Sequence, residues 1–243
     1  MATERLYLKD SYLKENRAKI VAIDDNKIIL DRTVIHPHSS GLVSDTGYIE
    51  INGSRYDIVD ALDDRDSDSI IHILDRKPDA SIGDEATVHL NWDRRYKLMK
   101  LHTASHILAS IIYKRYNALI TGGEIYEDYA RDDYNISKSG EELRAALASA
   151  IEEANGIISK GIQLKIYFMK RDEAMKIDGI VKLMEKMPPS QEIWRIVEIP
   201  DIDIQADGGP HVNNTNEIGK IKLLKIENRG KDKKRIYFSL DNQ

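Results

Sequence analysis

Two histidines, His102 and His106, stand four residues apart in a stretch whose apolar positions recur with helical spacing. On an α-helix, residues i and i+4 share one face, so the two imidazoles point to one place. Far downstream, Asp207-Gly208-Gly209-Pro210-His211 repeats the spacing of four, and its two glycines permit a tight backbone between an acid and an imidazole. Alone, a His-x-x-x-His pair on a partly buried helix is more often packing than chemistry, and a glycine turn beside an aspartate is common. Together the two halves form a candidate metal site, because a cation needs several ligands held rigidly from different parts of the chain. Any fold that serves such a site must bring a helix and a distant loop to one point. Thr103 stands where a metalloprotease carries its glutamate, so the His-Glu-x-x-His arrangement is absent.

The remaining pattern divides the chain near residue 90. Before it, Ala18–Ile23 and Lys27–Leu30 are short apolar runs joined by Asp24-Asp25-Asn26. Tyr48–Ile51 and Tyr56–Ala61 flank Asn52-Gly53, a tight-hairpin signal. Ser69–Leu74 and Ala86–Leu90 add further strands, which together suggest a small barrel or curled sheet. Residues 36–47 are too polar and broken for a strand and form a candidate functional loop. After Asn91, with Asp93 as the expected N-cap, a helix runs to about Tyr116 and carries both histidines. A Gly122-Gly123 turn, strands around Glu124–Tyr126 and Ala130–Ile136, a helix over Glu141–Asn155 ending before Gly156, a strand over Ile162–Met169 and a helical turn at Asp172–Lys176 follow. Strands at Ile193–Ile199, Gly219–Glu227 and Arg235–Leu240 complete a sheet, giving an α+β domain. The expected domains are therefore 1–90 and 91–243.

A net charge of −5 argues against a surface coated in positive charge, yet two basic clusters border the two halves of the candidate site. Arg94, Arg95, Lys97 and Lys100 precede the histidine pair; Lys220, Lys222, Lys225, Arg229, Lys231, Lys233, Lys234 and Arg235 crowd the C-terminal segment. Each alone reads as a solvated face; as a pair they favour a phosphate-bearing substrate. No apolar run approaches the ~20 residues needed to span a bilayer, and no secretory signal is expected from the start, Met1-Ala2-Thr3-Glu4-Arg5. Without cysteine there is neither a disulfide nor a thiolate ligand, which permits a cytoplasmic home.

The ordered motifs resemble those of the alanyl-tRNA editing family, AlaX, in its medium-length form. His102-Thr103-Ala104-Ser105-His106 matches the first metal motif of that family, and Asp207-Gly208-Gly209-Pro210-His211 the second, usually Cys-Gly-Gly-Thr-His. Val212–Gly219, Thr121–Glu124, Ala130-Arg131-Asp132, Tyr7–Leu13 and Ser44-Asp45-Thr46-Gly47 are also similar to family stretches, so the likeness spans nearly the whole chain. The resemblance implies an α+β editing domain of the alanyl/threonyl-tRNA synthetase type, preceded by a small β-barrel domain. It further implies a trans-editing hydrolase that removes serine, and also glycine, from mischarged tRNA(Ala), acting as a monomer or homodimer with no membrane partner. The implied metal ligands are His102, His106, Asp207 and His211. The implied ion is zinc or, because Asp207 is a harder donor than the family's cysteine, another divalent transition metal. The mechanism expected from ester chemistry is metal-activated water attack on the aminoacyl ester.

Thr103 and Asp207 are the candidate catalytic residues, Asp207 as ligand or base and Thr103 as an amino-acid contact or a local helix bond. Asp45, Leu42, Arg131, Gly208 and Gly209 are the candidate substrate-binding residues. Two further departures from the family pattern stand out. Ser39-Ser40-Gly41-Leu42-Val43 replaces a Gly-Gly-Gly-Gln-Pro run, so Leu42 cannot make the hydrogen bonds of the glutamine, and Pro210 replaces a threonine. The competing reading is a non-catalytic tRNA-binding relative with a degenerate metal site; a third is a hydrolase of another small ester.

Overall fold

The computed structural model describes residues 2–177, 180 and 191–241, and the chain divides into two compact units, Met1–Tyr96 and Lys97–Gln243. The first contains strands β1 (Glu4–Arg5), β2 (Glu15–Asp24), β3 (Lys27–Leu30), β4 (Arg32–Thr33), β5 (Gly47–Ile51), β6 (Ser54–Asp64), β7 (Ser69–Leu74) and β8 (Glu85–Leu90). Among the described residues, six of these close into a barrel in the order β2-β3-β7-β6-β5-β8. Closure removes both sheet edges, and alternation sends Ile20, Ile28, Leu30, Ile49, Ile51, Ile58 and Val88 into one core. Asn52 and Gly53 both have positive φ, the backbone that a two-residue hairpin between β5 and β6 requires.

The loop over residues 36–47 is pinned from inside this unit. The Arg95 guanidinium is 0% exposed, and its Nε donates to both Asp45 carboxylate oxygens at 3.0 Å. Its Nη1 and Nη2 donate to the carbonyls of Ser11 (3.0 Å) and Val34 (2.7 Å). Asp45 also accepts the His36 backbone N–H at 2.7 Å, and Leu42 is a fully buried core residue. Asp45 thus anchors a loop, and Arg95 is spent on an internal ion pair rather than on a surface patch.

Helix α1 (Trp92–Tyr116) begins in the first unit and runs into the second. Its cap is Asn91, whose Oδ1 accepts the Arg94 N–H at 3.3 Å; Asp93, expected in that role, sits in the first turn. The second unit continues with β9 (Ile120–Ile125), β10 (Ala130–Tyr134), α2 (Gly140–Ile158), β11 (Lys165–Lys170), α3 (Arg171–Ala174), β12 (Ile193–Ile199), β13 (Asp203–Ala206), β14 (Ile221–Asn228) and β15 (Lys234–Leu240). Among the described residues its strands form two antiparallel sheets, β14-β15-β10-β9 and β11-β12-β13, where one was expected. Gly122 and Gly123 lie within β9, not in a turn. A Cβ on Gly123 would meet Asp132 Oδ1 at 3.0 Å and the Arg131 carbonyl at 3.1 Å, so the missing side chain is what lets β9 and β10 approach. Helix α2 continues past Gly156, because its buried face, from Leu143 through Ala154, carries on to Ile157 and Ile158. That burial outweighs a glycine penalty of about 1 kcal/mol. Among the described residues no helix is long and apolar enough to cross a membrane.

The second basic cluster is also partly internal. The buried Lys234 ammonium donates to Asn228 Oδ1 (3.1 Å) and to the carbonyls of Gly230 (2.7 Å) and Lys231 (2.8 Å). It holds the β14–β15 hairpin together, while Arg229, Lys231 and Lys233 stay exposed.

Candidate metal centre

Helical spacing on α1 places His102 and His106 side by side, with ring centroids 4.8 Å apart. The other half comes from the end of the β12–β13 hairpin. Buried Arg195 on β12 accepts the Asp207 N–H through its own carbonyl (3.1 Å) and donates Nη1 to the carbonyls of Asp207 and Gly209, both at 2.9 Å. Gly209 N–H in turn donates to Asp207 Oδ2 at 2.7 Å. This clamp delivers Asp207 and His211 to the helix. His211 stacks on His102 at 4.1 Å, and one ligand atom from each of His102, His106, Asp207 and His211 lies within 4.8 Å of all the others. The three histidines are buried; Asp207 keeps partial access to solvent.

The protonation pattern follows from the surroundings. His102 Nδ1 lies 3.2 Å from the Pro210 carbonyl, and His106 Nδ1 lies 3.2 Å from Asp203 Oδ2. Neither a carbonyl nor a carboxylate can donate, so each ring carries its proton on Nδ1 and turns a bare Nε2 inward. Burial drives the His102 pKa down to about 4, and burial with the neighbouring His102 drives His211 well below the ordinary histidine value. Burial opposes ionisation of Asp207, but His102 and His211 beside it hold its carboxyl well below the usual carboxylate range. Near neutral pH His102 and His211 are therefore neutral imidazoles beside one carboxylate. His211 Nε2 is 3.2 Å from Asp207 Oδ2. When that nitrogen is bare, two electron pairs face each other at this distance unless a cation intervenes. The donor set and its arrangement thus fit a divalent metal of the nitrogen- and oxygen-binding kind.

Thr103 is 0% exposed; its hydroxyl contacts the Met99 carbonyl (3.0 Å), His211 Nδ1 (3.0 Å) and the Val212 N–H (3.3 Å). Gly208 and Gly209 form the ligand loop itself. Arg131, on β10, pairs with Glu124 of β9 at 3.1 Å. Leu42 and Asp45 belong to the first unit, where one is core and the other is the partner of Arg95. Sequence reasoning missed three residues. Asp203 orients His106, and Arg195 clamps the loop. Asp132, buried on β10 with its pKa lifted by burial to about 6, accepts from Ser105 Oγ at 2.7 Å and Tyr134 at 3.2 Å, tying α1 to the sheet. A signal for Asp203 existed in its shared strand face with Gln205, whose amide donates to it at 2.8 Å.

Residues 194–237, which include all but the first residue of β12, together with β13 and the Asp207–His211 loop, match the family model for the threonyl and alanyl tRNA synthetase second additional domain. The chain is 48% identical to alanyl-tRNA editing protein AlaX-M of Saccharolobus solfataricus, over 98% of its own length and 99% of the relative. It is 35% identical to AlaX-M of Methanosarcina barkeri, again over 98% and 99%. An alanine–tRNA ligase of Saccharolobus islandicus is 35% identical over 93% of this chain but only 25% of the ligase. With this near-complete mutual coverage, the chain belongs to the AlaX-M family of alanyl-tRNA editing proteins.

Proposed function

We propose that this chain is a trans-editing hydrolase that frees tRNA(Ala) of a wrongly attached amino acid, serine foremost and glycine next, by hydrolysing the aminoacyl ester in the cytoplasm. The observation that carries the reading is the convergence of three buried histidines, two of them kept neutral by burial, and one ionised carboxylate in a chain of this family. We assign His102, His106, Asp207 and His211 as ligands of zinc or another divalent transition metal. When bound, such an ion would supply Lewis-acid chemistry, polarising the ester carbonyl and making water a better nucleophile near neutral pH.

The chain's own groups prepare that chemistry. The low proton affinity of His102 and His211 keeps both rings neutral, each with one lone pair in the ring plane, across the physiological range. Asp207 is better suited to ligand than to base: its carboxyl holds a proton poorly, and Oδ2 is already engaged by Gly209 N–H. Its partial exposure leaves a way in for substrate at the one anionic member of the cluster. Arg229, Lys231 and Lys233 offer contacts to the phosphate backbone of tRNA.

The test is a deacylation assay with serine, glycine and alanine esterified to tRNA(Ala), using wild type and His102→Ala after metal analysis. The expected result is hydrolysis of the serine ester by metal-loaded wild type, with alanine spared and the variant inactive. Tight tRNA binding with no hydrolysis of any ester would instead support the non-catalytic relative.

A further inference from the structure

We propose that Thr103 and Asp203 are positioning residues that set the affinity of the cluster for a divalent metal, by holding His211 and His106 in the tautomer that presents Nε2. This rests on the ligand assignment above and gives Thr103 a role other than touching the amino acid.

Thr103 decides between two states of the cluster. A hydroxyl has one proton. The Met99 carbonyl at 3.0 Å is a pure acceptor, and giving the proton to it leaves Oγ1 as an acceptor. His211 Nδ1, 3.0 Å away, then donates to Oγ1, beside the Val212 N–H. Its Nε2 is left bare, facing Asp207 at 3.2 Å, and the cluster is open to a cation. The opposite arrangement sends the hydroxyl proton to His211 Nδ1. The ring proton then sits on Nε2 and donates to Asp207, and the cluster is closed by its own hydrogen bond. The Asp207 carboxylate favours that arrangement and the Met99 carbonyl opposes it, because the hydroxyl cannot serve both acceptors at full strength.

Asp203 does the same for His106 with no ambiguity. Its carboxylate, within 3.2 Å of Nδ1 and further held by Gln205 at 2.8 Å, can only accept. Its charge also strengthens the imidazole as a donor at Nε2. An asparagine there could turn its amide toward Nδ1 and select the wrong tautomer. His102 needs no side chain for this purpose, since a backbone carbonyl serves it.

The experiment measures zinc and cobalt(II) affinity of the full chain by chelator competition, with the cobalt absorption spectrum and 15N NMR of the histidine rings. The variants are Thr103→Val, which keeps the shape; Thr103→Ser, which keeps the hydroxyl; and Asp203→Asn. We expect Thr103→Val and Asp203→Asn to bind about 10- to 100-fold more weakly with altered cobalt spectra. Thr103→Ser should bind nearly as wild type. In the metal-free chain, the share of His211 rings protonated at Nδ1 should be larger in wild type than in Thr103→Val. Wild-type affinity and spectrum in Thr103→Val, a Thr103→Ser variant as weak as Thr103→Val, or the same distribution of the His211 ring proton in wild type and Thr103→Val would each overturn the proposal. Wild type that binds no metal would defeat the ligand assignment itself, an outcome distinct from variants that match a metal-binding wild type.

Discussion

Each unit buries a cluster of ionisable groups, and the two clusters differ in whether their hydrogen-bonding capacity is used up. In the first unit, Arg95 donates to Asp45, Ser11 and Val34, and Asp45 also takes the His36 N–H. Positive and negative charge cancel, and the guanidinium has an acceptor on each of its nitrogens. In the second, three imidazoles satisfy one nitrogen each on Pro210, Asp203 and Thr103, and turn the other toward a carboxylate. Both arrangements are costly to desolvate. Only the second leaves donor atoms aimed at a common point, which is the mark of a site rather than a strut.

The largest expected effect lies in the open cluster. His102→Ala should lower both metal occupancy and ester hydrolysis by about a hundredfold or more, while urea denaturation of the metal-free chain changes little. A large loss of metal-free stability would show that the cluster is a strut as well. In the closed cluster the order is reversed. Asp45→Ala should cost about 3–5 kcal/mol of barrel stability, read by urea denaturation, because it strands a buried guanidinium. Replacing Asp45 and Arg95 together with apolar residues of similar size should recover most of that loss. Failure to recover would mean that the pair does more than cancel charge.

Acid distinguishes a third buried group. Burial inside the barrel lowers the His72 pKa to about 4. Between that value and the unfolded value near 6.5 the unfolded chain binds the extra proton. The His72 contribution is therefore fully present above about pH 6.5 and is lost as pH falls toward 4, to a total of about 3 kcal/mol. Denaturation of wild type and His72→Gln at pH 7 and pH 4 should show the difference, with the variant less pH-sensitive. The smallest effect concerns the exposed cations. Lys231→Ala should reduce the slope of log affinity for tRNA against log salt by about 0.9 if the side chain meets a phosphate. An unchanged slope would remove this hairpin from the tRNA contact.

The same contrast explains what was legible in the sequence. Short-range patterns were: the Asn52-Gly53 hairpin, the helix through His102 and His106, and the strand Ile193–Ile199 can be read from periodicity and turn chemistry alone. The convergence of His102, His106, Asp207 and His211 was legible because each half has its own spacing. Long-range partners were not. Arg95 reads as one of four cations in a basic run, and nothing nearby says that its partner lies fifty positions earlier. Gly122-Gly123 reads as a turn because the reason for Gly123, the Asp132 carboxylate and the Arg131 carbonyl across the ladder, belongs to another strand. Thr103 reads as an amino-acid contact or a local helix bond; the bond to Met99 is that local one, while His211 and Val212, more than a hundred positions away, could not be foreseen.

The Arg195 clamp has a consequence for time as well as shape. Because one guanidinium nitrogen ties the carbonyls of Asp207 and Gly209, the ligand loop is ordered by the protein's own hydrogen bonds. An ion bound at the proposed site would therefore have little chain entropy to remove, and its capture should proceed in one kinetic phase without a slow folding step. Release of such an ion would leave the loop in place, so repeated loading and unloading would not require the domain to unravel.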